Sequence, residues 1–235
     1  MAKMTLLDMT QNILSALDSD SVNSIDDTVE SVQVAEIIKE TFFDIISQRE
    51  WSFLFQLGTL TAYSDTSNPT KMKIPDTWNK IKWIKYNKKE IEYLTPHDFT
   101  DLLHSRTVVT GITNSAGYGI NKDPSYWTSY NDTDIIFDSI NLTVESTLQA
   151  SKTVVYGVVA PTWTHTDNFT PNIPEKFFPT LLADAKSQAF VNLKQQANNR
   201  EERKAQRGRM TMRNEAWRNE YGEVRYNTKV HYGRK

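Results

Sequence analysis

The chain has 235 residues, no cysteine, 38% hydrophobic and 24% charged side chains, and a formal net charge of −2. Such a length buries a sizeable core, as one large domain or as a core with an inserted subdomain. With 6 Trp, 10 Tyr and 10 Phe the composition is globular rather than disordered, and the absence of cysteine excludes disulfides, thiol nucleophiles and thiolate metal sites.

The opening residues lack a basic stretch followed by an apolar one, and no run approaches eighteen apolar residues. A soluble intracellular protein is therefore expected. The near-neutral net charge conceals a strong sorting. Residues 1–70 hold 3 basic and 11 acidic side chains, residues 71–193 hold 12 and 13, and residues 194–235 hold 12 and 5. An acidic front and a basic back suit copies that pair heterologously and close a ring; the plainer reading is two solvated helix faces.

In chain order, Thr5 is placed to cap a first helix running through Leu17, with Leu6, Met9, Ile13, Leu14 and Leu17 on one face. The Ser- and Asp-rich connection Asp18–Asp27 follows. A second helix starts near Thr28 or Ser31 and runs to about Trp51, with a wide apolar face of Val34, Ile37, Ile38, Phe42, Ile45 and Ile46. Between Thr59 and Ala160 the period changes. Met72-Lys-Ile, Ile81–Tyr86, Ile135-Ile-Phe and Lys152–Val159 read as short strands, with one helix at Pro96–Arg106 and a mobile glycine-containing loop from Gly111. From Pro174 to about Gln196 the apolar residues Phe178, Leu181, Leu182, Ala185, Ala189, Phe190 and Leu193 recur at helical steps. Beyond about Asn198 that stripe stops, which predicts a basic tail ordered only against a partner.

Catalytic chemistry has little to stand on. His97, Asp101 and His104 fall at steps of four and three on one helix face and could ligate a metal ion, but Pro96, Asp98 and Asp101 suit the start of a solvated helix, which is the stronger reading. There is no His-Glu-x-x-His, Gly-x-Ser-x-Gly or Walker-type Gly-Lys-Ser/Thr. Nucleic acid is a stronger rival. Arg200, Arg203, Lys204, Arg207, Arg209, Arg213 and Arg218 with Trp217, Tyr221 and Tyr226 offer phosphate neutralisation and stacking. Glu201, Glu202, Glu215, Glu220 and Glu223 run through the same segment, and mixed charge with Trp, Tyr and Arg is what protein interfaces use.

The run Met4-Thr-Leu-Leu-Asp-Met-Thr-Gln-Asn-Ile-Leu-Ser-Ala-Leu-Asp-Ser-Asp and Ser24-Ile-Asp-Asp-Thr-Val-Glu-Ser-Val-Gln-Val-Ala resemble the opening of head-to-tail adaptor proteins of short-tailed bacteriophages, the tail tubular protein A-like or gatekeeper-type connectors. Asp44-Ile-Ile-Ser-Gln-Arg-Glu-Trp-Ser-Phe-Leu, Lys73-Ile-Pro-Asp, Leu148-Gln-Ala-Ser-Lys-Thr and Phe178–Gln195 are similar to the same group. The resemblance covers about four-fifths of the chain and consists of packing and turn residues. It implies a structural virion protein at the portal–tail junction, made in the host cytoplasm. Such a protein forms a ring, commonly of twelve copies, under the portal, holds the tail nozzle beyond, and lines the DNA exit channel without reading sequence. It implies no enzymatic activity, no cofactor, no metal and no membrane.

The expected fold is α+β: a helical-bundle core with a β-rich insertion and an extended C-terminal arm. The expected regions are N-terminal helices over 1–58, the insertion over 59–160, a long helix within 161–212 and the arm over 213–235. Arg207, Arg209, Trp217, Arg225, Tyr226 and Tyr232 are the expected anchors to portal or neighbouring subunit. Tyr126, Trp127 and Tyr130, in a turn-like aromatic stretch with Tyr118, are expected to meet the tail.

Overall fold

The computed structural model describes residues 3–63, 70–107, 117–141 and 152–227, with side chains in the last stretch described as far as Trp217. The glycine-containing loop over 111–116 and Tyr232 lie outside the described residues. The helices are α1 (Leu6–Ala16), α2 (Val29–Ser47), α3 (Pro96–Thr107), α4 (Phe178–Lys194) and α5 (Asn199–Asn227). The strands are β1 (Phe55–Gly58), β2 (Thr61–Ala62), β3 (Lys71–Lys73), β4 (Trp78–Tyr86), β5 (Lys89–Tyr93), β6 (Gly119–Ile120), β7 (Tyr126–Thr128), β8 (Asp134–Phe137), β9 (Ser139–Ile140) and β10 (Thr153–Val159). They divide between two compact units, Met1–Phe53 with Pro161–Lys235, and Leu54–Ala160.

In the helical unit both N-terminal helices begin at reciprocal caps. The Thr5 hydroxyl accepts from the Asp8 amide at 3.1 Å while the Asp8 carboxylate accepts from the Thr5 amide at 3.0 Å. Thr28 and Ser31 exchange the same pair of bonds at the start of α2. Each such cap contributes about 1 kcal/mol. The segment before α4 satisfies other amides of α1, since Leu6 donates to the Phe169 carbonyl and Leu7 to that of Asp167. Asp167 also accepts from the Ile25 amide at 2.8 Å, which ties the acidic connection down. Trp163 closes an aromatic cluster with Phe42 and Phe169 at ring separations of 5.3 and 4.7 Å.

The long C-terminal helix expected from the sequence is two helices. Gln195 adopts φ +53°, and the amides of Gln195 and Gln196 donate back to the carbonyls of Val191 and Phe190. The Gln195 bond, with Gln195 in the left-handed region, is that of an αL stop. Asn198 then caps α5, its side chain accepting from the Glu201 amide. Lys176, just before α4, pairs with Glu215 while Thr180 within it meets Gly208, so the numbers rise on one side as they fall on the other and α5 returns antiparallel along α4. The expected arm over 213–235 is therefore corrected: helix continues to Asn227.

The second unit overturns the expected architecture further. The class remains α+β, but the strands are not an elaboration on a helical-bundle core. Eight of them form a mixed sheet in the order β1-β10-β4-β5-β7-β8-β3-β2 and β6 pairs with β9 alone, around a core of Leu60, Met72, Ile84, Tyr86, Ile91, Trp127, Ile135, Phe137, Ile140 and Val155. A single parallel pairing in that sheet, β5 with β7, joins two otherwise antiparallel groups. β1 and β10, the first and last strands of the unit, pair directly, Phe55 opposite Val158, so the chain enters and leaves side by side. Stacked rings of Phe55, Tyr156 and Trp83 cross β1, β10 and β4 at 5.4 and 5.3 Å, the cross-strand contacts that stabilise a sheet.

Helix α3 covers part of this sheet through Phe99 and Leu103, which bury against Ile136. Its end is fixed by Arg106, which donates to the fully buried Asp138 at 2.8 Å. The other oxygen of Asp138 accepts the Ser125 and Tyr126 amides at 2.8 and 2.9 Å. A buried carboxylate held this way needs all three donors.

Candidate functional site

The inner side of α5 is built from small residues. Ala205, Gly208, Met212 and Ala216 recur at steps of three and four; Ala205, Met212 and Ala216 are buried. An alanine methyl at Gly208 would come within 2.6 Å of Thr180 Cγ2, so the two helices approach as closely as glycine allows.

Polar clamps flank that seam. Arg209 reaches Asp184 on α4 through Nε at 2.9 Å and through Nη2, and Asp44 on α2 at 2.9 Å. Burial pushes the Asp184 carboxyl above its usual range, and the Arg209 bonds counteract this. Arg213 donates to Gln48 at 3.0 Å, and Lys176 pairs with Glu215. Arg209, expected to anchor a partner, is thus committed within its own unit.

The outward side carries a different chemistry. Arg200, Arg203, Arg207, Met210, Asn214 and Trp217 follow one another at steps of three and four, with Lys204 beside them. Met210 is 67% and Trp217 46% exposed. The guanidinium groups of Arg200, Arg203 and Arg207 have no hydrogen bond or ion pair among the described residues, and with Asn199 and Lys204 they line a shallow depression. Of the expected anchors, Arg207 and Trp217 lie on this ridge. Arg225 and Tyr226 lie further along α5, and only their backbone is described.

An acidic surface forms elsewhere on the same unit. The Ser19 hydroxyl donates to Glu30 at 2.8 Å, which brings the turn carrying Asp18 and Asp20 to the first turn of α2, and Asp26 and Asp27 lead into that helix. Val29, the first residue of α2, is 77% exposed.

On the β unit the expected tail-facing residues separate. Trp127 is buried in the sheet core, with Tyr93 edge-on at 4.8 Å, and is corrected from anchor to core. Tyr126 packs with Tyr118 against the Phe99 cluster. Tyr130 alone of the three stays outside, 52% exposed, with its hydroxyl 3.3 Å from that of Thr100. A cleft of about 530 Å³ beside them is lined by Trp78, Lys80, Lys82, Tyr93, Trp127 and Asp132. Tyr93 was not singled out in the sequence, because one exposed ring at a strand end leaves no periodic signal.

The candidate metal triad is not assembled. His97 Nδ1 lies 3.1 Å from Asp101, both side chains largely in solvent, and among the described residues no three His, Cys, Asp or Glu groups could hold a metal ion. Nor, among the described residues, is any helix long and apolar enough to cross a membrane. No protein-family model matches this chain, and no curated protein matches it.

Proposed function

We propose that this chain is a head-to-tail adaptor of a short-tailed bacteriophage. It is a structural subunit that forms a ring on the portal, receives the tail nozzle, and surrounds the exit path of the DNA. The resemblance of the α1, α2 and α4 sequences supplies the family. The observation that carries the reading is that one helical unit exposes a basic, Met- and Trp-bearing ridge on α5 and a separate acidic surface at the start of α2. A subunit with two different, complementary faces associates head to tail, and such contacts close into rings.

A nucleic-acid module is the second reading, and the ridge supplies its cations. Glu201 and Glu202 share the first turn of α5, and Lys204 lies 3.5 Å from Glu201. Carboxylates among the cations oppose a phosphate backbone and suit a protein surface better. The β unit, with Tyr130 and the cleft at Tyr93, is the side proposed for the tail. Averaged electron microscopy of intact particles tests the assignment: density for both units between portal and nozzle supports it, and density elsewhere or none refutes it.

A further inference from the structure

The two charged surfaces have compositions that match beyond their sign. The α5 ridge runs from cations to apolar groups, Arg200, Arg203 and Arg207 leading to Met210 and Trp217. At the start of α2 the Ser19–Glu30 bond holds the turn that carries Asp18 and Asp20, and Asp26, Asp27 and the exposed Val29 adjoin Glu30 in the chain. Arg, Met and Trp are the residues enriched at protein interfaces, and a rim of opposite charge around an apolar centre fixes register and partner. The ridge is also laid out on a firm support. Its opposite side is locked to α4 and α2 through Gly208, Met212 and the Arg209 clamp, so little ordering cost remains for a partner to meet.

We infer that the α5 ridge of one copy docks on the acidic start of α2 in the next copy, and that this is the contact which repeats around the ring. The inference rests on the adaptor reading above and adds the surfaces that make neighbours adhere. Because each copy carries both surfaces, the contact is heterologous and self-propagating. Its polar rim is solvent-screened, so added salt weakens it.

Charge reversal tests it in the full-length chain mixed with portal, with oligomer content read by native mass spectrometry. R203E/R207E and D20K/D26K change exposed side chains only, so their melting temperatures should stay close to that of the parent. Each double reversal is expected to lower the oligomeric fraction at least about tenfold, and the chain carrying all four changes, in which the charges are exchanged, is expected to recover most of it. Three outcomes overturn the inference. If the parent forms a ring and both double reversals form it equally well, the contact lies elsewhere while the adaptor reading stands. If R203E/R207E leaves the ring intact but abolishes binding of a fluorescent DNA duplex, the ridge is a nucleic-acid surface. If the parent forms no oligomer with portal, the adaptor reading fails and this contact with it.

Discussion

Gly208 of α5 lies against Thr180 of α4 so closely that a β-carbon there would clash with the threonine side chain. Glycine inside an exposed helix normally costs about 1 kcal/mol relative to alanine. Here replacing it should do harm. Gly208→Ala is expected to destabilise by about 1–3 kcal/mol through overpacking, and Asn214→Ala on the exposed ridge to change stability little. Chemical denaturation of both variants decides it. A Gly208→Ala protein more stable than its parent would mean that α5 does not sit on α4.

Arg209 offsets the burial of Asp184. Arg209→Met leaves that carboxyl without its main partner, at an expected loss of about 1–3 kcal/mol at pH 7. The folded-state pKa of Asp184 is already raised by burial and rises further in the variant. For a carboxyl whose folded pKa lies above its unfolded value, the penalty is present when pH exceeds the folded pKa and fades as pH falls through it towards 3.8. The gap between variant and parent should therefore shrink on acidification. A gap that stays constant down to the lowest pH at which both proteins remain folded would rule this account out.

Trp127 and Tyr130 are three residues apart and should behave differently. Trp127→Ala removes a ring from the sheet core and is expected to cost about 3–5 kcal/mol. Tyr130→Ala touches an exposed ring and should leave the melting temperature almost unchanged while weakening attachment of the tail. Thermal melts of both, with particle assembly scored for the tyrosine variant, check the division. Normal tail attachment by Tyr130→Ala would remove it from the tail-facing surface.

Asp138 joins α3 to the strands. Asp138→Ala strands two amides and removes the carboxylate that Arg106 donates to, at an expected cost of about 3 kcal/mol or more. Native-state hydrogen exchange should show faster exchange at the Ser125 and Tyr126 amides. Unchanged protection at both would contradict the assigned role.

The residues that were legible in the sequence were those with a strong local signal. Thr5 and Thr28 precede apolar periodic runs and do start α1 and α2. The β-branched runs around Ile84, Ile135 and Val155 do form strands. What misled was size. The seam of α5 is Ala205, Gly208 and Ala216 with one methionine, which hydropathy does not register as an apolar stripe, so a docked helix read as a tail. The end of α4 was legible where its apolar stripe stops near Gln196, but its left-handed geometry was not, because a stop without glycine leaves no mark. Trp127 read as an interface ring because turn residues surround it; its burial comes from the sheet partners that Tyr93 and Phe137 supply. The assembly ridge was half legible: Arg207 and Trp217 were singled out, but Arg209 points the other way.

The central claim is that copies of this chain associate head to tail into a closed ring on a portal. Native mass spectrometry of the purified chain with its portal measures this directly. The account predicts one dominant complex with about twelve copies added per portal ring, formed through a single repeated heterologous contact. A chain that stays monomeric, or stops at a symmetric dimer with portal present, would contradict it.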